Sequence, residues 1–283
     1  MTQPVLDIQQ LHLSFPGFNG DVHALNNVSL QINRGEIVGL VGESGSGKSV
    51  TAMLIMRLLP TGSYCVHRGQ ISLLGEDVLN AREKQLRQWR GARVAMIFQE
   101  PMSSLNPVYR IGDQMLEMIR THHREIPKKE ALKQCIEMLA RVGIPSPEQR
   151  IREFPHQMSG GMRQRVMIAM ALLCQPKLLI ADEPTTALDV TIQAQILRIL
   201  KKLAEESDTS VILITHDMGV VAEMADHVMV MYAGKSVEYG TAEDIFDHPM
   251  HPYTVGLLKS IPKLGSGQED HLFTIEGTVP GLD

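Results

Sequence analysis

The strongest constraint on this chain is a glycine-rich loop near its N-terminal end. The loop follows the apolar run Ile37–Val41, which predicts a buried strand, and precedes the stretch Val50–Leu59, which has the character of a helix. It matches the pattern G-x-x-x-x-G-K-[ST], and its residues are Gly42, Glu43, Ser44, Gly45, Ser46, Gly47, Lys48 and Ser49. A strand, this loop and a helix in succession predict a cradle for the phosphate groups of a nucleotide.

The residue types in this loop suit phosphate chemistry. Its three glycines let the backbone curl so that N–H groups point at phosphate oxygens, and the helix N-terminus adds partial positive charge. Lys48 is suited to neutralise the β- and γ-phosphates, and the hydroxyl of Ser49 to ligate Mg²⁺. We also include Thr51 among the candidate nucleotide-binding residues. A flexible glycine–serine turn is the alternative, and the flanking strand and helix argue against it.

Composition and charge narrow the classes of function. The 283 residues carry a formal net charge of −5, and no Lys/Arg cluster of the kind that tracks a nucleic-acid backbone is present, so nucleic acid is not favoured as a partner. Cys65, Cys135 and Cys174 are far apart, which predicts neither a disulfide framework nor a zinc site and fits a reducing, cytosolic setting. No signal peptide and no membrane-spanning run is recognisable. We therefore expect a soluble chain that reaches a membrane only through a partner.

The N-terminal region predicts two strands. Residues Val5–Phe15 and Leu25–Ile32 alternate apolar and polar side chains, with a turn between them. We expect an antiparallel pair laid beside the strand that feeds the phosphate loop. Phe15 is either a core aromatic or the ring on which a purine base stacks, because stacking needs only a planar apolar face near the loop.

The middle of the chain predicts one short strand followed by a helical region. The run Val94–Phe98 predicts a short buried strand with the polar residue Gln99 at its tip. From Ile111 to Val142, apolar residues recur at helical spacing, which predicts a small helical subdomain. The methionines of this subdomain either fill its core or line a groove for a partner helix.

A second turn with affinity for anions is predicted ahead of another helix. Ser159, Gly160 and Gly161 precede the apolar-periodic stretch Val166–Leu173, which puts a Ser-Gly-Gly turn at a helix N-terminus. The alternative is a serine N-cap followed by two permissive glycines, without any ligand.

Two further strands end in groups that can act on phosphates. The apolar strand Lys177–Ala181 delivers Asp182 and Glu183 at its carboxyl end, where α/β folds place their ligands. Asp182 suits Mg²⁺ held through water and Glu183 suits an attacking water; a solvated acidic pair is the alternative. The strand Ser210–Thr215 ends in His216, which either contacts the γ-phosphate or is a structural histidine.

The C-terminal part predicts a hairpin and then a loop-rich tail. Val228–Tyr232 and Ser236–Tyr239 flank an Ala-Gly-Lys turn, and the tail from His248 onward contains several prolines. His248 and His251 are either surface histidines in proline turns or metal ligands.

In their order along the chain, these residues resemble the motifs of the ATP-binding subunit of ABC transporters. The matching motifs are the Walker A loop at Gly42–Ser49, the Q-loop at Gln99, the signature at Ser159-Gly160-Gly161-Met162, the end of Walker B at Ile180–Glu183, the D-loop at Leu188-Asp189 and the switch histidine at His216. Met162 departs from the commonest family residue, glutamine. The subfamily that imports dipeptides, oligopeptides and nickel often has methionine there, and Gln99–Pro107 and His251–Thr254 also resemble it. Chains of that subfamily commonly continue into a cysteine-containing segment, which the 283 residues do not include.

The resemblance implies an α/β fold. It is a P-loop NTPase (RecA-like) core of the ABC ATPase type with an antiparallel β subdomain and an inserted α-helical subdomain. The implied nucleotide-binding domain covers residues 1–246, with the helical subdomain at about 103–157, and a C-terminal extension of the peptide-importer type covers residues 247–283.

The resemblance also implies an activity and partners. ATP, with Mg²⁺, lies between Walker A of one subunit and the Ser159–Gly161 turn of a second ATPase subunit, identical or paralogous, and Lys48, Gln99, Glu183 and His216 carry catalysis. Hydrolysis powers import of a substrate, with di- or oligopeptides favoured, through separate transmembrane permease subunits. An extracytoplasmic substrate-binding protein is an indirect partner. The chain is then a peripheral protein at the cytoplasmic face of the cell membrane.

Other functions remain as alternatives. An ATPase subunit for nickel or another small solute fits the same motifs. A soluble ABC ATPase acting on nucleic acid or ribosomes needs a nucleic-acid surface, a coiled-coil insert or a second nucleotide domain, and none is visible. A P-loop kinase or GTPase does not need the Ser-Gly-Gly turn, and the guanine-reading Asn-Lys-x-Asp pattern is missing.

Overall fold

The computed structural model describes residues 3–17, 20–98, 104–185 and 189–260. The chain divides into unit 1, made of Met1–Ala81 with Ile212–Asp283, and unit 2, made of Arg82–Val211. The domain boundary between residues 246 and 247 and the helical subdomain at about 103–157 stay predictions.

The described strands are β1 (Leu6–Gly17), β2 (Gly20–Ile32), β3 (Ile37–Val41), β4 (Cys65–Leu73), β5 (Glu76–Asp77), β6 (Val94–Ile97), β7 (Leu178–Asp182), β8 (Ser210–Ile214), β9 (His227–Tyr232) and β10 (Lys235–Thr241). The described helices are α1 (Lys48–Ile55), α2 (Glu83–Trp89), α3 (Ile111–His122), α4 (Lys128–Arg141), α5 (Pro147–Arg150), α6 (Gly160–Leu172), α7 (Val190–Ser207), α8 (Met218–Met224), α9 (Ala242–Asp247) and α10 (Pro252–Lys259). None of the helices in the described ranges has the length and apolar character of a membrane-spanning segment.

Antiparallel strands form the first sheet of unit 1, in the order β2-β1-β4-β5. The alternating apolar residues that predicted β1 form its buried face, since Leu6, Ile8, Leu11 and Leu13 are at most 1% exposed. The predicted antiparallel pairing with β2 is confirmed, with Leu6 opposite Ile32. The predicted place of this pair beside β3 is wrong, because β3 pairs with β9 in a different sheet.

The second sheet of unit 1 carries the glycine-rich loop. Its strand order is β10-β9-β3-β8, and β8 contributes Ile212–Ile214 to this unit. Every residue of β3 is buried, which is typical of a strand covered on both faces. β3 runs parallel to β9, with Val41 opposite Val230, and the predicted hairpin of β9 and β10 is confirmed.

In unit 2, β7 lies between β6 and the first residues of β8. β6 and β7 are parallel, with Ile97 opposite Ala181, so their carboxyl ends meet at the same edge of the sheet. The helices predicted between Ile111 and Val142 are confirmed as α3 and α4, which pack against each other and against α6.

The tail that begins at His248 contains a helix where the sequence predicted loops. Pro252 is the first residue of α10, where its fixed φ suits a helix and its missing N–H costs no intrahelical bond. The side chain of His251 caps this helix, because its Nδ1 accepts a hydrogen bond of 3.2 Å from the N–H of Tyr253. The proline that predicted a loop therefore begins a helix. Residues 261–283 lie outside the described residues.

Candidate nucleotide site

The glycine-rich loop has the geometry of a cradle. Gly42 has φ +145°, and a Cβ there would overlap the carbonyl oxygen of Met231. Only glycine fits this position, because both the backbone angle and the space exclude a side chain. At Gly45, by contrast, an added Cβ would have no neighbour within 4 Å, so this part of the loop faces open space. The closed side of the loop is packed against the protein, and the open side can admit a ligand.

Lys48 places its charge inside this loop. The residue is 7% exposed, and its Nζ donates hydrogen bonds to the carbonyl oxygens of Gly42 and Glu43, both at 2.7 Å, and to Oγ of Ser46 at 3.2 Å. The loop thus fixes the position of the ammonium through these three hydrogen bonds. A fixed positive charge in a partly dry site attracts a polyphosphate more strongly than a solvated lysine does.

The first turn of α1 adds hydrogen-bond donors. Gly47 is the N-cap residue and provides no side-chain cap, and the first intrahelical bond runs from the N–H of Thr51 to the carbonyl of Gly47 at 2.9 Å. The N–H groups of Lys48, Ser49 and Val50 therefore precede the helical hydrogen-bond ladder, which is the arrangement that binds anions. The Thr51 hydroxyl donates to the same Gly47 carbonyl at 2.9 Å and is buried.

Two distant segments hold the loop from outside. The N–H of Gly234, in the turn between β9 and β10, donates to the carbonyl of Ser46 at 3.1 Å. The N–H of Glu43 donates to the hydroxyl of Tyr253 on α10 at 2.9 Å. The sequence contains no signal for either contact, because both partners are remote from the loop along the chain.

Two other candidates also belong to unit 1. Phe15 is half-buried on β1 opposite Val22, and its role in base stacking stays a prediction. His216 is exposed and follows β8, the neighbour of β3. The next residue, Asp217, caps α8 by accepting hydrogen bonds from the N–H groups of Gly219 and Val220, at 2.9 and 3.2 Å. This cap fixes the turn that carries the imidazole.

The acidic pair lies in unit 2 at the end of β7. Asp182 is 6% exposed, and Glu183 is half-buried with φ +47°, in the left-handed region. This angle is uncommon for a residue other than glycine and costs energy that the surrounding structure must offset. Here Nε2 of Gln164 donates to the carbonyl of Pro184, and Nε2 of Gln193 donates to the carbonyl of Thr185 at 3.2 Å. Two glutamines from α6 and α7 thus hold the backbone that follows Glu183.

Gln164→Leu is expected to lower the kcat of the nucleotide hydrolysis that the motifs imply about tenfold, because a small misplacement of Glu183 is costly. Nucleotide affinity and melting temperature should stay nearly unchanged. Gln164 is 1% exposed, and among the described residues its Oε1 is buried without a hydrogen-bond partner, so losing that oxygen offsets the lost bond to Pro184. Steady-state kinetics and thermal unfolding measure this. The matched control is Gln195→Leu, an exposed glutamine on α7 that bonds Arg165 instead. An unchanged kcat for Gln164→Leu would contradict a positioning role.

The Ser-Gly-Gly turn lies at the N-terminus of α6, as predicted. Ser159 is the N-cap, and its Oγ accepts a hydrogen bond of 3.3 Å from the N–H of Met162. The predicted alternative of a serine N-cap is therefore present. The first helical bond joins Arg163 N–H to the Ser159 carbonyl at 3.0 Å, which leaves the N–H groups of Gly160 and Gly161 ahead of the helical ladder. Ser159 is exposed, so the cap leaves the turn accessible to an anion. Anion binding at this turn stays a prediction.

Gln99 and Leu188, two of the motif residues, lie outside the described residues.

Comparisons with known proteins agree with the motif order. The family model described as ABC transporter matches residues 25–186, and the model described as oligopeptide/dipeptide transporter, C-terminal region, matches residues 237–283. The chain is 68% identical over 282 residues to the probable D,D-dipeptide transport ATP-binding protein DdpD of Escherichia coli (strain K12), covering 100% of this chain and 85% of the relative. It is 52% identical over 278 residues to the oligopeptide transport ATP-binding protein OppD of Bacillus subtilis (strain 168), covering 98% of this chain and 77% of the relative.

Solved structures share the fold. A dimeric post-hydrolysis state of the ATP-binding cassette MJ0796 bound to ADP and Pi has a TM-score of 0.74 and 26% identity, covering 84% of this chain and 98% of that chain. The structure of cbiO1 from Clostridium perfringens, part of the transporter complex cbiONQ, has a TM-score of 0.73 and 27% identity, covering 87% of this chain and 92% of that chain. The predicted α/β fold of the P-loop ATPase type is confirmed.

Proposed function

The chain belongs to the ABC transporter family, and we propose that it is the ATP-hydrolysing subunit of an importer of di- or oligopeptides. The observation that carries this proposal is the succession of two regions in one chain: an ABC ATPase region precedes the C-terminal region of oligopeptide/dipeptide transporters. The relatives named above are transport ATP-binding proteins for D,D-dipeptides and for oligopeptides, which supports the same class of substrate.

Unit 1 fits the triphosphate of ATP. The loop Gly42–Ser49 is packed on one side and open at Gly45, the Lys48 ammonium lies inside it, and α1 presents N–H groups without a side-chain cap. We assign phosphate binding to this loop, because the backbone N–H groups that α1 presents are held in place before the ligand arrives and do not have to be reorganised. Phe15 is our candidate for stacking against the adenine ring.

Mg²⁺, when bound, neutralises charge that develops on the phosphates. We propose the Ser49 hydroxyl and the Asp182 carboxylate as the groups that engage it, since both are the hard oxygen donors that this ion prefers. Asp182 is the last residue of the buried strand β7, the position at which the motif resemblance implies the carboxylate of Walker B.

We assign the handling of the attacking water to Glu183. A carboxylate in this position accepts the proton that the water loses. Hydrogen bonds from the two glutamines hold the two carbonyl groups that follow Glu183 in the chain. His216 and Gln99 are proposed to contact the γ-phosphate side of the nucleotide, as the motif resemblance implies.

The partners in this proposal are a second ATPase subunit and separate transmembrane subunits. The exposed Ser159 turn, with two N–H groups ahead of the α6 ladder, is the surface that we expect to face ATP held by the second subunit. ATP then supplies binding energy that exists only in the closed pair, and hydrolysis releases it. The chain works at the cytoplasmic face of the membrane, and a substrate-binding protein on the other side delivers the cargo.

Reconstitution with candidate transmembrane subunits in proteoliposomes tests the function. We expect ATP turnover to rise when the substrate-binding protein carries a dipeptide, either the L,L or the D,D form of alanylalanine, or a tetrapeptide. Lys48→Ala in the same vesicles is the control for turnover by this chain. Stimulation by Ni²⁺ alone would assign the importer to another solute, and failure to recover the chain with any transmembrane subunit would overturn the transport role.

A further inference from the structure

Tyr253 touches the phosphate loop from the C-terminal side of the chain. Its hydroxyl accepts the hydrogen bond from the N–H of Glu43 at 2.9 Å, and the residue is 8% exposed. A polar contact in such a buried place is stronger than one that competes with water. The partners are 210 residues apart in sequence, and Tyr253 belongs to the region matched by the oligopeptide/dipeptide transporter model.

This contact and Lys48 act on the same peptide group. The peptide between Gly42 and Glu43 has its N–H bonded to Tyr253 and its C=O bonded to Nζ of Lys48 at 2.7 Å. In a planar trans peptide the N–H and C=O point in opposite directions, so the two side chains hold one plane from opposite sides. A rotation of this peptide would break both bonds together and would remove one of the three hydrogen bonds that hold the Lys48 ammonium.

The helix that carries Tyr253 is itself well anchored. The Glu238 carboxylate on β10 accepts hydrogen bonds from the N–H groups of Met250 and His251, at 2.7 and 3.1 Å, just before α10 begins. Since the His251 side chain also caps α10, the first turn of the helix is held on two sides. Tyr253 therefore contacts the loop from a helix whose first turn is fixed by hydrogen bonds.

The ring of Tyr253 joins two parts of the candidate site. It lies 4.5 Å from the ring of Tyr232, measured between centroids, and belongs to a buried cluster with Val41, which precedes the phosphate loop, and Met218, which follows the His216 turn. Burial also raises the pKa of Tyr253 to about 12, so the phenol stays protonated at physiological pH. A neutral hydroxyl is thus always available to the Glu43 N–H.

We propose that Tyr253 is a positioning residue for ATP binding, through which helix α10 of the C-terminal extension and the phosphate loop respond to each other. The Tyr253 hydroxyl holds the Gly42–Glu43 peptide in the orientation that presents Lys48 to the phosphates. Because coupling between two sites is reciprocal, nucleotide binding must then stabilise α10 as much as α10 stabilises the nucleotide-bound loop. This inference rests on the proposed assignment of the loop to ATP.

Tyr253→Phe tests the positioning role, because this substitution removes one oxygen and keeps the packed ring. We expect the Kd and KM for ATP to rise about three- to tenfold, as for the loss of one hydrogen bond, with kcat at saturating ATP near the wild-type value. Amide hydrogen exchange should become faster in the loop peptide that contains Glu43. The matched control is Tyr232→Phe, which removes a hydroxyl from the neighbouring ring of the same cluster and should leave the ATP affinity unchanged.

The coupling between α10 and the phosphate loop can be tested without a variant of Tyr253. In the wild-type chain, Mg·ATP should slow amide exchange across residues 252–259, and the absence of any such slowing would overturn the coupling. An ATP affinity of Tyr253→Phe equal to the wild type, while Lys48→Ala loses affinity, would overturn the positioning role and leave the loop assignment standing. Unchanged affinity in both variants would instead remove the loop from ATP binding. If Tyr253→Phe does not fold, the exchange experiment on the wild type decides alone.

Discussion

Glu183→Gln is expected to lower the rate of ATP hydrolysis about a hundredfold or more while ATP binding survives, as is typical for the loss of a general base. Glutamine keeps the shape of the side chain and its ability to hydrogen-bond, and it does not accept a proton or carry the negative charge that orients the water. The backbone at this position, with φ +47° and its neighbouring carbonyls bonded to Gln164 and Gln193, should be retained. The expected consequence is a chain that accumulates with ATP bound, as a closed pair of ATPase subunits.

Phosphate release, ATP binding and size-exclusion chromatography with and without Mg·ATP measure this outcome. Asp182→Asn is the informative contrast, because we expect it to weaken the dependence on Mg²⁺ and not the proton transfer. Glu205→Gln, an exposed carboxylate on α7 of the same unit, is the matched control and should hydrolyse ATP normally. A Glu183→Gln chain that turns over ATP at the wild-type rate would remove Glu183 from the mechanism.

Lys48→Ala is expected to raise the Kd for ATP about tenfold to a hundredfold, because each hydrogen bond from a charged group contributes about 1.5–3 kcal/mol. Turnover should fall further than affinity, since the ammonium also neutralises charge that develops on the transferred phosphate. The loop loses an internal donor as well, because Nζ of Lys48 bonds to the carbonyls of Gly42 and Glu43 at 2.7 Å. Part of the effect is therefore a less ordered loop.

Equilibrium binding of ATP and steady-state hydrolysis check this prediction. Lys235→Ala, an exposed lysine on β10 of the same unit, controls for the loss of one positive charge and should bind ATP like the wild type. Thermal unfolding of each variant separates a folded chain with weak binding from an unfolded one. Wild-type affinity and turnover in Lys48→Ala would be incompatible with the loop as the phosphate site.

The elements around the site were predictable where the signal is local. The apolar runs that predicted β3 and β7 are buried strands, and the helical spacing between Ile111 and Val142 corresponds to α3 and α4. The loop pattern also predicted Lys48 as a phosphate-binding residue, and in the structure its ammonium lies inside the loop. These predictions succeed because they depend on the backbone preferences and side-chain periodicity of neighbouring residues.

Predictions that required distant partners were less successful. The pairing of β1 with β2 was predicted. That this pair belongs to a different sheet from β3 was not predicted, since the order of strands in a sheet depends on tertiary packing. The helix α10 was missed because the prolines near it predicted a loop, although proline also suits the first position of a helix, as Pro252 does here. The packing of Tyr253 in a buried cluster then stabilises this short helix. The left-handed angle at Glu183 also has no local signal, because glutamate rarely adopts it without support.

The sequence by itself therefore determined the type of chemistry: a phosphate loop, an acidic strand end, and a set of motifs whose order identifies the family. Only the tertiary structure decided how those groups are held, through Gln164 and Gln193 behind Glu183 and through Tyr253 behind Glu43. The physical reason is the range of the interactions. A glycine or an apolar run acts on its own backbone, whereas a hydrogen bond between residues 210 positions apart exists only after the buried core has brought the two segments together.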